Sequence, residues 1–239
     1  MNSNTNIPNK ENFIPQRENI IESIYNYIAK LIVPVFIKLN FSANFITILS
    51  GLIGILGSSL VLLENSFYNV LAFIFLNVFV ILDLVDGDIA RYTNTSSLFG
   101  RWLDLFFDKL NEIVLIYALI FTAYKSNFNI NNLYLGLLLV TMYCIYQFII
   151  LANLYWFDKK ESTNEKILLQ VDPKIQKNTW FSANAVLVHL TLKHSTLFFI
   201  ASFGILFNSI HLTIYILVIM SFYSVFLISL RNFVKLRSK

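Results

Sequence analysis

Five apolar runs, at roughly 47–63, 68–84, 98–123, 131–154 and 213–233, constrain this chain more than anything else in its sequence. A helix needs ~20 residues to cross the hydrocarbon of a bilayer, with a range of about 17–25. Inside lipid every backbone polar group must find its partner within the segment, so runs of this length are read as transmembrane helices. A sixth run, 196–207, is short alone and reaches span length when 183–192 joins it, with Lys193 and His194 at the seam. Composition agrees. Only 13% of residues are charged and mean hydropathy is +0.64, where a soluble domain carries about a quarter charged residues. The sequence shows no internal repeat, Walker-type loop, Cys/His zinc spacing or nucleic-acid motif, and the lone Cys144 precludes an intrachain disulfide.

The expected fold is all-α and integral to the membrane: six transmembrane helices preceded by an amphipathic interfacial helix, in one domain over 17–239. Residues 1–16 form a polar, Asn-rich tail without the apolar core of a signal peptide. Over 17–39, Ile20, Ile21, Ile24, Ile28, Leu31, Ile32 and Val35 recur at helical spacing. Glu18, Glu22, Asn26, Lys30 and Lys38 lie opposite, and Pro34 interrupts the run. That pattern predicts a helix lying in the interface. With the N-terminus inside, six spans place 17 of the 18 Lys and Arg residues on the cytoplasmic side, Lys125 alone falling outside. The longest loop, 156–182, is then cytoplasmic and forms part of a substrate entrance. Gly51, Gly54 and Gly57 in the first span suit close helix packing in lipid.

Within this apolar chain, residues 83–108 carry four carboxylates: Asp83 and Asp86 three apart, Asp104 and Asp108 four apart. These are same-face spacings on helices, with axial separations of ~4.5 and ~6 Å. An ionised Asp at membrane depth costs at least ~2.5–3.5 kcal/mol, so the group needs a cation or a polar substrate to compensate it. Left alone it repels itself; with hard divalent cations it becomes an oxygen-ligand site suited to Mg2+ or Mn2+. No His or Cys belongs to the cluster, which argues against zinc. Gly87 and Ala90 permit close approach, and Arg91 offers a planar fork for phosphate. Together these suit phosphoryl transfer, with cations on a diphosphate and a carboxylate accepting a hydroxyl proton.

The pattern D-x2-D-G-x2-A-R-x8-G-x3-D-x3-D is matched at every fixed position by Asp83, Asp86, Gly87, Ala90, Arg91, Gly100, Asp104 and Asp108. In this the chain resembles the CDP-alcohol phosphotransferase (CDP-alcohol phosphatidyltransferase) family. The resemblance implies two divalent metal ions, Mg2+ or Mn2+, bound by Asp83, Asp86 and Asp104. Asp108 would be the general base and a further metal contact. It implies that Gly87, Ala90 and Arg91 line the CDP moiety, with Asp83 and Asp86 beside it and Gly100 allowing close packing. The family's Pro-Asn-x-x-Thr segment reads Ala43-Asn44-Phe45-Ile46-Thr47 here, making Asn44 and Thr47 candidate nucleotide contacts despite the absent proline. The implied reaction moves a phospho-alcohol group, such as phosphatidyl from CDP-diacylglycerol, to an acceptor hydroxyl with release of CMP in phospholipid biosynthesis. The implied assembly is a homodimer in membrane lipid, with no nucleic-acid partner.

Other residues take plainer expectations. Asp88 is read as a solvated charge. Lys109 and Glu112 pair with neighbours, and Lys193 with His194 anchors the fifth span at the interface, contact with the acceptor being the alternative. His189 and His211 are also interfacial. A carboxylate-based cation or proton transporter would not need Gly87, Ala90 and Arg91 at these offsets. A prenyltransferase-like diphosphate enzyme is expected to have two acidic motifs far apart in sequence. Lys159, Lys160, Lys166, Lys174 and Lys177 in the 156–182 loop leave the acceptor open between phosphorylated and neutral alcohols.

Overall fold

The computed structural model describes residues 20–161 and 192–237. The 1–16 tail, the start of the 17–39 helix, most of the 156–182 loop and nearly all of the 183–192 run lie outside the described residues.

All described elements are helical. They are α1 (Ile20–Lys38), α2 (Ala43–Leu60) continued by a short 3-10 turn (Val61–Leu63), α3 (Ser66–Tyr92), α4 (Leu98–Asn127), α5 (Ile130–Glu161), α6 (His194–Leu206) and α7 (Ile210–Arg237). Starts carry the expected caps: Ser42, Asn65 and Ser97 each accept from a backbone N–H of the first turn. Several helix ends turn through a left-handed residue at Asn40, Glu64, Asn94, Phe128 and Asn208. The chain has seven glycines, and none has positive φ. Glycine is used for packing between helices, while Asn, which tolerates the left-handed region, closes three of them.

Among the described residues, five helical stretches are long and apolar enough to cross a membrane: Ile20–Lys38, Ala43–Leu63, Ser66–Tyr92, Ile130–Ala152 and Ile210–Leu230. This set differs from the expected six. α4 has ample length, but Arg101, Asp104, Asp108, Lys109 and Glu112 dilute its first half. α6 has 13 residues, about 20 Å of helix, less than the ~30 Å hydrocarbon layer. α1 meets the requirement for a span by length and composition, although its sequence suited the interface. Its packed face is Tyr25, Ala29 and Val33, and Tyr25 donates to Asn77 Oδ1 on α3 at 2.5 Å. The isoleucine stripe points outward instead, with Ile20, Ile24, Leu31 and Val35 exposed.

α2 bridges the two carboxylate-bearing helices, packing against both α3 and α4, while α1 and α6 flank α3 and α5 pairs with α7. The larger core lies among α3, α4, α6 and α7 around Leu76, Phe79, Leu115, Leu119, Phe198 and Leu217. The glycines of α2 make its contacts possible. A Cβ at Gly51 would overlap the Phe107 ring of α4, and one at Gly54 would overlap Asn111 of α4 and Phe79 of α3. One at Gly57 would stand 2.9 Å from Phe75 Cβ. Asn111 ties the α2–α4 contact by donating to Gly51 O at 3.2 Å.

Candidate active site

The C-terminal part of α3 supplies Asp83 and Asp86, and the N-terminal part of α4 supplies Asp104 and Asp108. A turn over 93–97 joins the two helices, closed by Thr95 N donating to Ala90 O at 3.0 Å and by Ser97 Oγ accepting from Gly100 N at 2.9 Å. With α2 holding both helices, the same-face spacings become a single cluster. Oxygens of Asp83, Asp86 and Asp104 lie within 4.8 Å of one another, and so do ligand atoms of Asp83, Asp108 and His194. Asp83 belongs to both sets.

Asp86 is buried. The buried atoms Asp86 Oδ2, Asp108 Oδ1 and His194 Nε2 have no hydrogen-bond partner among the described residues. Unpaired buried acceptors are costly, and four carboxylates in so small a volume add mutual repulsion. Divalent cations satisfy both conditions, and the donor set of carboxylate oxygens suits Mg2+ or Mn2+. The residues present therefore fit such ions.

Beside the carboxylates, Arg91 projects outward with its side chain 61% exposed, and its Nη2 stands 2.7 Å from Asp88 Oδ1. A Cβ on Gly87 would stand 3.3 Å from the Arg91 guanidinium, so the glycine leaves that side chain room to fold back along α3. Ala90 is half-buried one turn from Asp86. The first turn of α2 reaches the same place. Asn44 Oδ1 would lie 3.0 Å from a Cβ on Gly100, and Thr47, itself buried, neighbours the Asp86 carboxylate. Asp83, Asp86, Asp104 and Asp108 thus meet directly, with Asn44, Thr47, Gly87, Ala90, Arg91 and Gly100 around them.

Two expectations are corrected. Asp88 is not solvated: it is 4% exposed and ion-paired with Arg91, because its position on α3 turns it against the packed side while the longer arginine reaches back from the surface. The statement that no histidine joins the carboxylates also fails. His194, the first residue of α6, sits among them, its Nε2 3.7 Å from Asp108 Oδ1. Its ring lies edge-on to Phe79 and tilted over Phe198, with centroids 5.4 and 4.7 Å away. On the other side, Nδ1 is 2.9 Å from Glu112 Oε1.

Glu112, 1% exposed, is an anchor as well as an ion-pair member. Its Oε2 accepts from Lys109 Nζ at 2.7 Å and from the Tyr143 hydroxyl of α5, which itself accepts from Gln147 Nε2 at 2.8 Å. The chain entering α6 is fixed too. Lys193 pairs with Glu22 of α1 at 2.8 Å, and Leu192 N donates to Ser224 Oγ of α7 at 2.8 Å. The sequence signal for this arrangement was a histidine at the start of an apolar helix, but its partners lie 82 or more residues away.

Residues 40–226 match the sequence family described as CDP-alcohol phosphatidyltransferase. Among curated proteins, an uncharacterized protein of Aquifex aeolicus (strain VF5) is 34% identical over 109 residues, 46% of this chain and 47% of the relative. The chain thus matches about half the length of that relative.

Proposed function

The chain belongs to the CDP-alcohol phosphatidyltransferase family, a family of phosphotransferases, and from that premise we propose that it transfers a phosphatidyl group from a donor such as CDP-diacylglycerol to an acceptor hydroxyl, releasing CMP, as a step of phospholipid biosynthesis. The observation that carries this reading is the convergence of Asp83, Asp86, Asp104 and Asp108, with Gly87, Ala90 and Arg91 beside them.

Asp83, Asp86 and Asp104 would hold two divalent cations, with Asp108 in reach of the second; once bound, such ions offset the charge of a diphosphate and of the departing CMP. Arg91 would fork onto a phosphate, its guanidinium held beside Asp88. Gly87 and Ala90 would line the nucleotide along α3, with Asn44 and Thr47 of α2 as further contacts. Gly100 keeps the start of α4 close to Asn44. Asp108 takes the proton of the acceptor hydroxyl as the new O–P bond forms at the lipid-bearing phosphorus. The P–O bond to the second phosphate breaks, and its electron pair leaves with CMP. The proton then passes from Asp108 to water.

Seventeen of eighteen cationic residues fall on one side in the six-span arrangement, which supports a cytoplasmic active site and cytoplasmic termini. Lipid tails would enter sideways from the bilayer and the acceptor from the cytoplasm, with the chain working as a homodimer.

The test is CMP release by the purified full chain, given CDP-diacylglycerol, Mg2+ or Mn2+, and a panel of acceptors comprising serine, inositol, an amino-alcohol, glycerol 3-phosphate and an inositol phosphate. Release with one acceptor is expected. No release with any acceptor, or with other CDP-alcohol donors, refutes the reading.

A further inference from the structure

We infer that His194 is a metal ligand, so that this site has one all-oxygen cation position on Asp83, Asp86 and Asp104 and one mixed nitrogen–oxygen position on Asp83, Asp108 and His194. The inference rests on the metal-dependent reading above and adds a ligand that the aspartate motif does not contain.

Three observations converge on it. The first is spacing. His194 Nε2 and Asp108 Oδ1 are 3.7 Å apart, too long for a hydrogen bond. Two donor atoms each about 2.1 Å from one cation stand ~3–4 Å apart, and an Asp83 oxygen completes the set within 4.8 Å. Second, both facing atoms are buried and lack a hydrogen-bond partner among the described residues. The third is the support behind the ring. A metal-bound imidazole usually gives its other N–H to a carboxylate, which fixes its tautomer and raises its basicity. His194 Nδ1 meets Glu112 in this way at 2.9 Å, which leaves Nε2, facing Asp108, as the ring nitrogen available to a cation. Glu112 is saturated by Lys109, Tyr143 and His194, and Phe79 and Phe198 clamp the ring. A surface anchor for headgroups would need none of this.

The consequence is metal selectivity. Carboxylate and water suit Mg2+, whereas an imidazole nitrogen favours transition cations. The mixed position therefore takes Mn2+ in preference to Mg2+.

The experiment uses the purified full chain saturated with Mg2+ and given Mn2+ at well under one ion per chain, read by pulsed EPR for 14N coupling. Separately, Mn2+ stoichiometry is titrated on metal-free protein. Coupling is expected in the natural chain. It should persist when the other two histidines are replaced (His189→Gln with His211→Gln) and vanish in His194→Ala. Glu112→Gln should weaken Mn2+ binding by about 10–100-fold while keeping the coupling. Two bound Mn2+ per chain without 14N coupling, or coupling that survives His194→Ala, overturns the assignment and leaves the carboxylate site standing. Absence of any Mn2+ binding refutes the metal site itself, and the inference with it. Should His194→Ala not fold, the variant retaining only His194 decides: coupling there sustains the assignment and its absence overturns it.

Discussion

Replacing Asp83 with Asn separates what the carboxylate cluster costs from what it does. Asp83 is the shared member, with oxygens of Asp86, Asp104 and Asp108 all within 4.8 Å of its own. Two unit charges 4.8 Å apart, the upper limit of separation in either set, repel by roughly 3.5 kcal/mol at an effective dielectric constant of about 20 when both are ionised. Desolvating an ionised Asp at membrane depth costs a further ~2.5–3.5 kcal/mol. Asn is nearly isosteric and carries neither cost. Metal-free Asp83→Asn should therefore be more stable than the parent, even if only a fraction of these terms is realised. At ~2–4 °C per kcal/mol for a chain of this size, a rise of about 4 °C or more is expected in thermal unfolding with EDTA. In saturating Mn2+ the order should reverse, because the parent gains binding free energy that the variant forgoes. CMP release by the variant should fall to background. An Asp83→Asn protein that is equally destabilised with and without metal would mean the aspartate is a packing element, and the electrostatic reasoning would fail.

Two further outcomes follow from the same geometry. Asp108→Asn should lower kcat by ~10²–10⁴ with the KM for CDP-alcohol changed by only a few-fold, measured as steady-state CMP release; full activity removes Asp108 as the base. Gly54→Leu should destabilise by ~2 kcal/mol or more, since overlap with Asn111 and Phe79 outweighs the roughly 1 kcal/mol that leaving glycine returns to a helix. Thermal unfolding in detergent reads this, and an unchanged midpoint contradicts the packing described for α2.

The parts of the fold legible in sequence were those encoded by short-range pattern. Apolar runs located the helices to within a few residues at most ends, and carboxylate spacing placed each pair on one helix face. Asn44 and Thr47 were reachable only through family resemblance, yet the first turn of α2 carries both to the motif. α4 is not among the five stretches apolar enough to count as spans, because the residues that build the site also lower its hydropathy. Asp88 misled because its burial depends on which neighbour covers that side of α3, a tertiary fact. His194 and Glu112 were hidden for a related reason: each has an ordinary local reading, and their meaning arises only when α6 is laid against α3 and α4 across 82 residues of sequence.

The glycine column of α2 has a mechanical consequence. Two carboxylate pairs on separate helices must keep a fixed gap for shared ions to bridge them. Side chains on α2 as well would put two rotameric layers in each seam. Because Gly51 and Gly54 bring the α2 main chain directly against the Phe107, Asn111 and Phe79 side chains, a single layer of side chains separates α2 from each helix of the site. Helix tilts that follow a thinner or thicker bilayer should then move α3 and α4 together, and the two carboxylate pairs with them.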